Sequence, residues 1–247
     1  MIRIFALLTG VWTLIAGAAI GEPLRVFAAA SLSDALEDVA EGWSGEVVAS
    51  YGGSGGVARQ IALGAPADVV ILANTDWLDW LAEQGVLRAG SMTEVAANRL
   101  VLIGPADAPD LDRADAPGLI GRLAGRRMAV GQVLSVPAGI YAKEWMQAAD
   151  LWEALVPYLA ETENVRAALA LVERAETPLG VVYASDAQAG HVRVLHEIDP
   201  GLHGPIRYGA AVVDSSPHPE AADFLRFILS DGQAILKNYG FLPVADG

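Results

Sequence analysis

Residues 51–60 read YGGSGGVARQ, and the GGSGG within them fits the G-x-S-x-G pattern of a hydrolase nucleophile elbow. The run EVVASY before it reads as a strand and VARQIALG after it as a helix, so Ser54 stands in the strand-turn-helix context an elbow requires. Two chemistries are open here: Ser54 as a nucleophile, or Ser54 in a loop that holds a ligand. A nucleophile needs a histidine and an acid downstream. The four histidines, His191, His196, His203 and His218, fall in stretches that read as strand edge or loop, and no HGGG-type oxyanion segment accompanies them. As a phosphate loop the stretch lacks the Lys and Ser/Thr of G-x-x-x-x-G-K-[ST], which disfavours a nucleoside triphosphate. Its glycines have another use: without side chains they let a ligand's oxygens approach the N–H groups of Gly55 and Gly56. Direct metal ligation is not expected, since no histidine pair has helical ligand spacing and the chain has no cysteine.

GGSGG is one of four turns that feed a helix start. The others are AAAS at Ser31, VPAG at Ala138 and ENVR at Val165. The first N–H groups of a helix have no intrahelical acceptor, and the helix dipole adds roughly half a positive charge there, so each start is a natural anion site. A single serine or asparagine at such a place is ordinarily a structural cap. Four starts of this kind are more informative than one, although spacing alone does not gather them into one cleft. Tyr183, which ends the apolar strand LGVVY, reads first as a core aromatic. It can also supply a neutral O–H donor at the carboxyl end of a strand, where open α/β sheets bind ligands. Arg59, Lys143 and Arg166 lie just past helix starts and read as solvated or paired with acids.

The elements that must position these groups alternate strand and helix. After residues 1–21, LRVFAAA, EVVASY and DVVILA read as strands, each followed by a helix: SLSDALEDVAEGW, the segment after Ser54, and the segment around TDWLDWLAEQ. Ser31 and Asp34 have the spacing of a capping box. This is an α/β pattern with a mainly parallel sheet. NRLVLIGP, RRMAVG, LGVVY and HVRVLHEI are strands of a second lobe. Its helices include VPAGIYAKEWMQAAD, with Pro137 at the first helical position, and ENVRAALALVERAE, with Asn164 as N-cap. IRYGAAVV is a further strand, and one or two helices complete the chain. NRLVLIGP and IRYGAAVV are expected to cross between lobes. The chain then divides into 1–21, a first lobe from 22–98, a second lobe from 99–205 and a return to the first from 206–247.

Residues 1–21 carry an early Arg3, an apolar stretch and small residues at the end, the pattern of a secretory signal peptide. The absence of cysteine leaves the exported protein without disulfides or a site for a lipid anchor, which places it in the periplasm. Formal net charge is −14, and one unit more negative without residues 1–21, whose only charged side chain is Arg3. Such a field excludes nucleic acid and anionic membranes as partners.

FAAASL, GGSGGVARQ, GAPAD, VPAGIYAKE, ALALVER and LGVVY, in this order and with a C-terminal YGF, make the chain resemble the periplasmic molybdate-binding proteins of ABC importers. The resemblance covers nearly all of the chain beyond residue 21. It implies the two-lobed type II solute-binding fold, joined by two crossing strands, and a tetrahedral oxyanion held between the lobes. It also implies ligand contacts at Ser31, Ser54, Ala138, Val165 and Tyr183, with molybdate or tungstate as transported ligand, no cofactor, no catalytic residue, a membrane permease as partner and a monomeric state. Sulfate or another oxyanion on the same fold is the alternative, and a serine esterase the remote one. The chain departs from the family in a short EGWSGEVV connection and in VILA, where an aromatic and a serine are common. Neither departure falls on the five contacts.

Overall fold

A computed structural model describes residues 22–244 of the 247-residue chain, so the expected signal peptide lies outside the described residues. The first part of the chain forms β1 (Leu24–Ala29), α1 (Ser33–Gly42), β2 (Val47–Gly52), α2 (Ser54–Ala62), β3 (Val69–Leu72), α3 (Thr75–Glu83) and β4 (Thr93–Ala97). There follow β5 (Leu100–Pro105), α4 (Ala116–Leu123), β6 (Met128–Gly131), α5 (Pro137–Ala148), α6 (Trp152–Leu155) and β7 (Leu159–Thr162). The chain continues through α7 (Val165–Glu173), β8 (Leu179–Tyr183), α8 (Ala184–Ala189), β9 (Val192–Glu197), β10 (Arg207–Val212), α9 (Ala221–Leu229) and α10 (Gly232–Asn238).

Two five-stranded sheets share one plan, with strand orders β2-β1-β3-β10-β4 and β7-β6-β8-β5-β9. In each, the first three strands are parallel and the fourth runs against both neighbours. That reversed strand is the one arriving from the other sheet: β5 follows β4, and β10 follows β9. NRLVLIGP and IRYGAAVV therefore do not themselves span the lobes. Each lies within a single sheet, and the crossings are residues 98–99 and 198–206. The edge strand β4 has little sequence signal, because TEVAA carries a glutamate and two alanines, which are depleted in strands.

Both faces of the first sheet are covered, which is why β3 reads as a continuous apolar run and all four of its residues are buried. Val69 and Ile71 join the large core with Leu36, Val39 and Phe224, while Val70 and Leu72 face Ile61, Leu78 and Leu81. In the second sheet α5 and α7 pack on β6 and β8. Several helix starts are fixed as the sequence expects. Asn164 Oδ1 accepts from Ala167 N–H at 2.9 Å and Asn74 Oδ1 from Trp77 N–H at 3.2 Å. Pro137 opens α5. The capping box expected of Ser31 and Asp34 does not form: α1 begins at Ser33, Ser31 is bonded to Tyr208, and Asp34 is paired with Arg166. Among the described residues no helix is long and apolar enough to cross a membrane.

Leu102, fully buried in β5, sits where the chain has just entered the second sheet. Leu102→Ala is expected to lower the unfolding free energy by about 2–5 kcal/mol, read from denaturant titration.

Candidate anion-binding site

The parallel strands of the two sheets present their carboxyl ends to a common cleft. Ser31 and Ser54 follow β1 and β2; Ala138 and Val165 follow β6 and β7; Tyr183 ends β8. All five line one small cavity between the lobes. No charged side chain and no histidine is among the residues lining it.

What the cavity offers is hydrogen. Ser54 and Val165 are the first residues of α2 and α7, and Ala138 is the second of α5, so their N–H groups have no intrahelical acceptor. Ser54 Oγ accepts the N–H of Ala73 at 3.1 Å, and a backbone N–H cannot accept in return, so the serine proton is left for another partner. Ser31 Oγ lies 2.8 Å from the hydroxyl of Tyr208. Tyr183 is 1% exposed, and among the described residues its hydroxyl has no hydrogen-bond partner. A buried hydroxyl without a partner calls for one, and this one belongs to a residue that lines the cavity. Burial raises the phenols of Tyr183 and Tyr208 well above their ordinary value, so both remain protonated donors.

Of the two GGSGG amides expected to face a ligand, that of Gly56 is committed elsewhere, and the glycines also serve another purpose. Gly56 N–H is already bonded to the carbonyl of Gly53 at 2.8 Å. A Cβ added to Gly53 would collide with the carbonyl oxygen of Glu163, and one added to Gly55 with that of Ser135 and the ring of Trp77. Glu163 and Ser135 belong to the opposite lobe, so the missing side chains allow backbone to meet backbone across the cleft.

Arg166, one residue past Val165, also bridges the lobes. Its guanidinium lies 2.8 Å from Asp34 on α1 and 2.6 Å from Asp186 on α8, and it donates to the carbonyl of Ser31 at 3.4 Å. This cation is committed to carboxylates beside the cavity and does not line it. Nearby, Asn74 of the first lobe donates to the hydroxyl of Tyr141 in the second at 3.2 Å. Burial pushes Asp186 up from 3.8 to about 6, against the pull of Arg166.

Tyr208, Asn98 and Ala73 touch this machinery without having stood out in the sequence. Tyr208 sits in β10, 177 residues from its partner Ser31. The one available signal was its polar head inside an otherwise apolar strand, since a buried tyrosine hydroxyl needs a partner. Ala73 closes the VILA departure, so that segment does reach the site, through its backbone.

Fold and cavity together define a two-lobed binding protein with a small, donor-lined cavity between its sheets. The chain belongs to the bacterial extracellular solute-binding protein family, whose profile matches residues 24–242. It is similar to the molybdate-binding protein ModA of Escherichia coli K12, with 39% identity over 226 residues that cover 88% of each chain. ModA of Haemophilus influenzae is 36% identical over 229 residues, covering 88% of this chain and 89% of its own. The periplasmic molybdate-binding protein of Azotobacter vinelandii has the same fold, with a TM-score of 0.79 and 24% identity over 90% of this chain and 99% of that one.

Asp186 generates a pH prediction. Its folded value lies above its ordinary 3.8, so its contribution to stability is full below 3.8 and is lost as pH rises through about 6. Acidification from pH 7 to pH 4 is therefore expected to weaken Asp186→Asn more steeply than the wild type, in unfolding free energies measured across that range.

Proposed function

We propose that this protein captures molybdate, and also tungstate, in the periplasm and hands it to the membrane permease of an ABC importer. One observation carries the reading: donors from both lobes converge, without a cation, on one small cavity in a chain whose relatives are molybdate-binding proteins. Hydroxyls of Ser31, Ser54 and Tyr183 and N–H groups of Ser31, Ser54, Ala138 and Val165 supply the contacts. The protein binds and releases its ligand without catalysis and acts as a monomer, with residues 1–21 removed on export. The moving units are 22–98 with 206–247, against 99–205.

Neutral donors suffice for a dianion. A hydrogen bond to a charged group contributes about 1.5–3 kcal/mol net, so about half a dozen give roughly 10–15 kcal/mol before the costs of association and closure. Donors alone also disfavour protonated oxyanions, whose O–H would meet another hydrogen. Sulfate matches molybdate in charge and shape but has shorter bonds. Its oxygens stand back from the donors once Gly53 meets the Glu163 carbonyl and the cleft can shrink no further.

Thermal unfolding with each anion at equal concentration tests the ligand. At a hundredfold excess over its dissociation constant a ligand stabilises the fold by about 2.7 kcal/mol, so molybdate and tungstate are expected to raise the midpoint while sulfate and phosphate leave it unmoved. Ser54→Ala should lose much of that shift, and silence of all four anions on ligand-stripped protein would overturn the assignment. Closure is read separately by small-angle scattering. Molybdate should compact the wild type, whereas Gly53→Ala, which loses about 1 kcal/mol or less as an N-cap change, should remain extended at the same saturation.

A further inference from the structure

The hydroxyl of Ser31 can either give or take a hydrogen bond, and the cavity works as a donor wall only if it gives. What fixes its direction lies behind it. Ser31 Oγ and Tyr208 Oη are 2.8 Å apart, and Tyr208 Oη also receives Asn98 Nδ2 at 3.4 Å. The orientation of the Asn98 amide is set by its oxygen, which accepts the N–H of Arg99 at 2.9 Å, and by its nitrogen, which donates to Ser185 Oγ at 2.8 Å. Tyr208 is fully buried, and its hydroxyl has these two neighbours. The asparagine nitrogen can only donate, so the phenol proton has a single acceptor within reach, Ser31 Oγ. The reverse arrangement would leave a buried phenol proton unpaired, a costly state. With one lone pair of Ser31 taken by Tyr208, the serine proton turns toward the cavity.

We infer that Tyr208, backed by Asn98, is a positioning residue that makes Ser31 an obligate donor and so helps restrict the site to fully ionised oxyanions. This rests on the molybdate reading above and assigns part of its selectivity to two residues outside the cavity lining. Ser54 is held in the same sense by the N–H of Ala73, which no side-chain change can remove. The Ser31 arm is therefore the one that mutation can reach. Asn98 stands at the crossing between the sheets, and it ties Ser31 in the first lobe, through Tyr208, to Ser185 at the start of α8 in the second.

Tyr208→Phe removes the hydroxyl and keeps the ring, which packs edge-on to Tyr183 at 5.9 Å and to Phe241 at 5.2 Å between centroids. The test is a double-mutant cycle on the full mature chain, in which molybdate titrations of the wild type, Tyr208→Phe, Ser31→Ala and the double variant are paired with ligand-free unfolding midpoints. Competition by hydrogen phosphate is measured on the wild type and Tyr208→Phe. Tyr208→Phe is expected to weaken molybdate binding about tenfold and to narrow the molybdate-to-phosphate ratio by several fold. In the Ser31→Ala background the same change should have little effect, because the proton it orients is gone. An equal loss in both backgrounds, or unchanged affinity and selectivity in the single variant, would overturn the inference while leaving the molybdate reading intact. Failure of the wild type to bind molybdate would overturn both. Should Tyr208→Phe fold poorly, Asn98→Ala in the same cycle carries the test, with the same dependence on Ser31 expected.

Discussion

The molecule depends on two places where the chain leaves one sheet and enters the other running backwards. Because β5 and β10 each insert against their neighbours, the remaining strands of the two sheets can aim their carboxyl ends at one another. A helix that follows a parallel strand starts at that carboxyl end, so every such turn delivers unpaired N–H groups to the cleft. Ser54, Ala138 and Val165 are neighbours for this topological reason. Local sequence contributes only small or apolar residues that leave the backbone accessible.

The same arrangement resolves an electrostatic tension. A chain with a formal charge of −14 is a poor host for an anion at long range. Within the cleft the fields that matter are short-ranged and fixed: helix starts, hydroxyls and oriented amides in a site closed to solvent. Arg166 illustrates the division of labour. Its charge is matched by Asp34 and Asp186, so it joins the lobes mechanically and contributes no free cation to the ligand cavity. On the proposed reading, attraction comes from dipoles that cannot be titrated away.

Legibility in the sequence followed the range of the interactions. The alternating elements, the proline start of α5 and the asparagine cap of α7 are local, and the residues state them. The five cavity positions were nameable as helix starts and a strand end, but their gathering into one cleft came from family resemblance, because it depends on strand order. The serine of AAAS shows the limit. Its spacing to Asp34 spelled a cap, yet tertiary partners claimed both side chains, Tyr208 for one and Arg166 for the other. Tyr208 and Asn98 were silent for the same reason, since each acts across more than a hundred residues or between lobes. The edge strand β4 was silent for a different one: pairing with β10 holds it, and its composition does not.

A Cβ on Gly53 would collide with the Glu163 carbonyl, so on the proposed reading the cleft closes against a stop made of backbone. Side chains swing between rotamers, but a peptide plane has no such freedom. The closed gap is in effect a caliper set by covalent geometry. Changing the lining residues would alter how firmly an ion is gripped, whereas the radius that is gripped would move only with the loops themselves. A lineage adapting this scaffold to a smaller or larger anion would have to remodel its turns before its side chains.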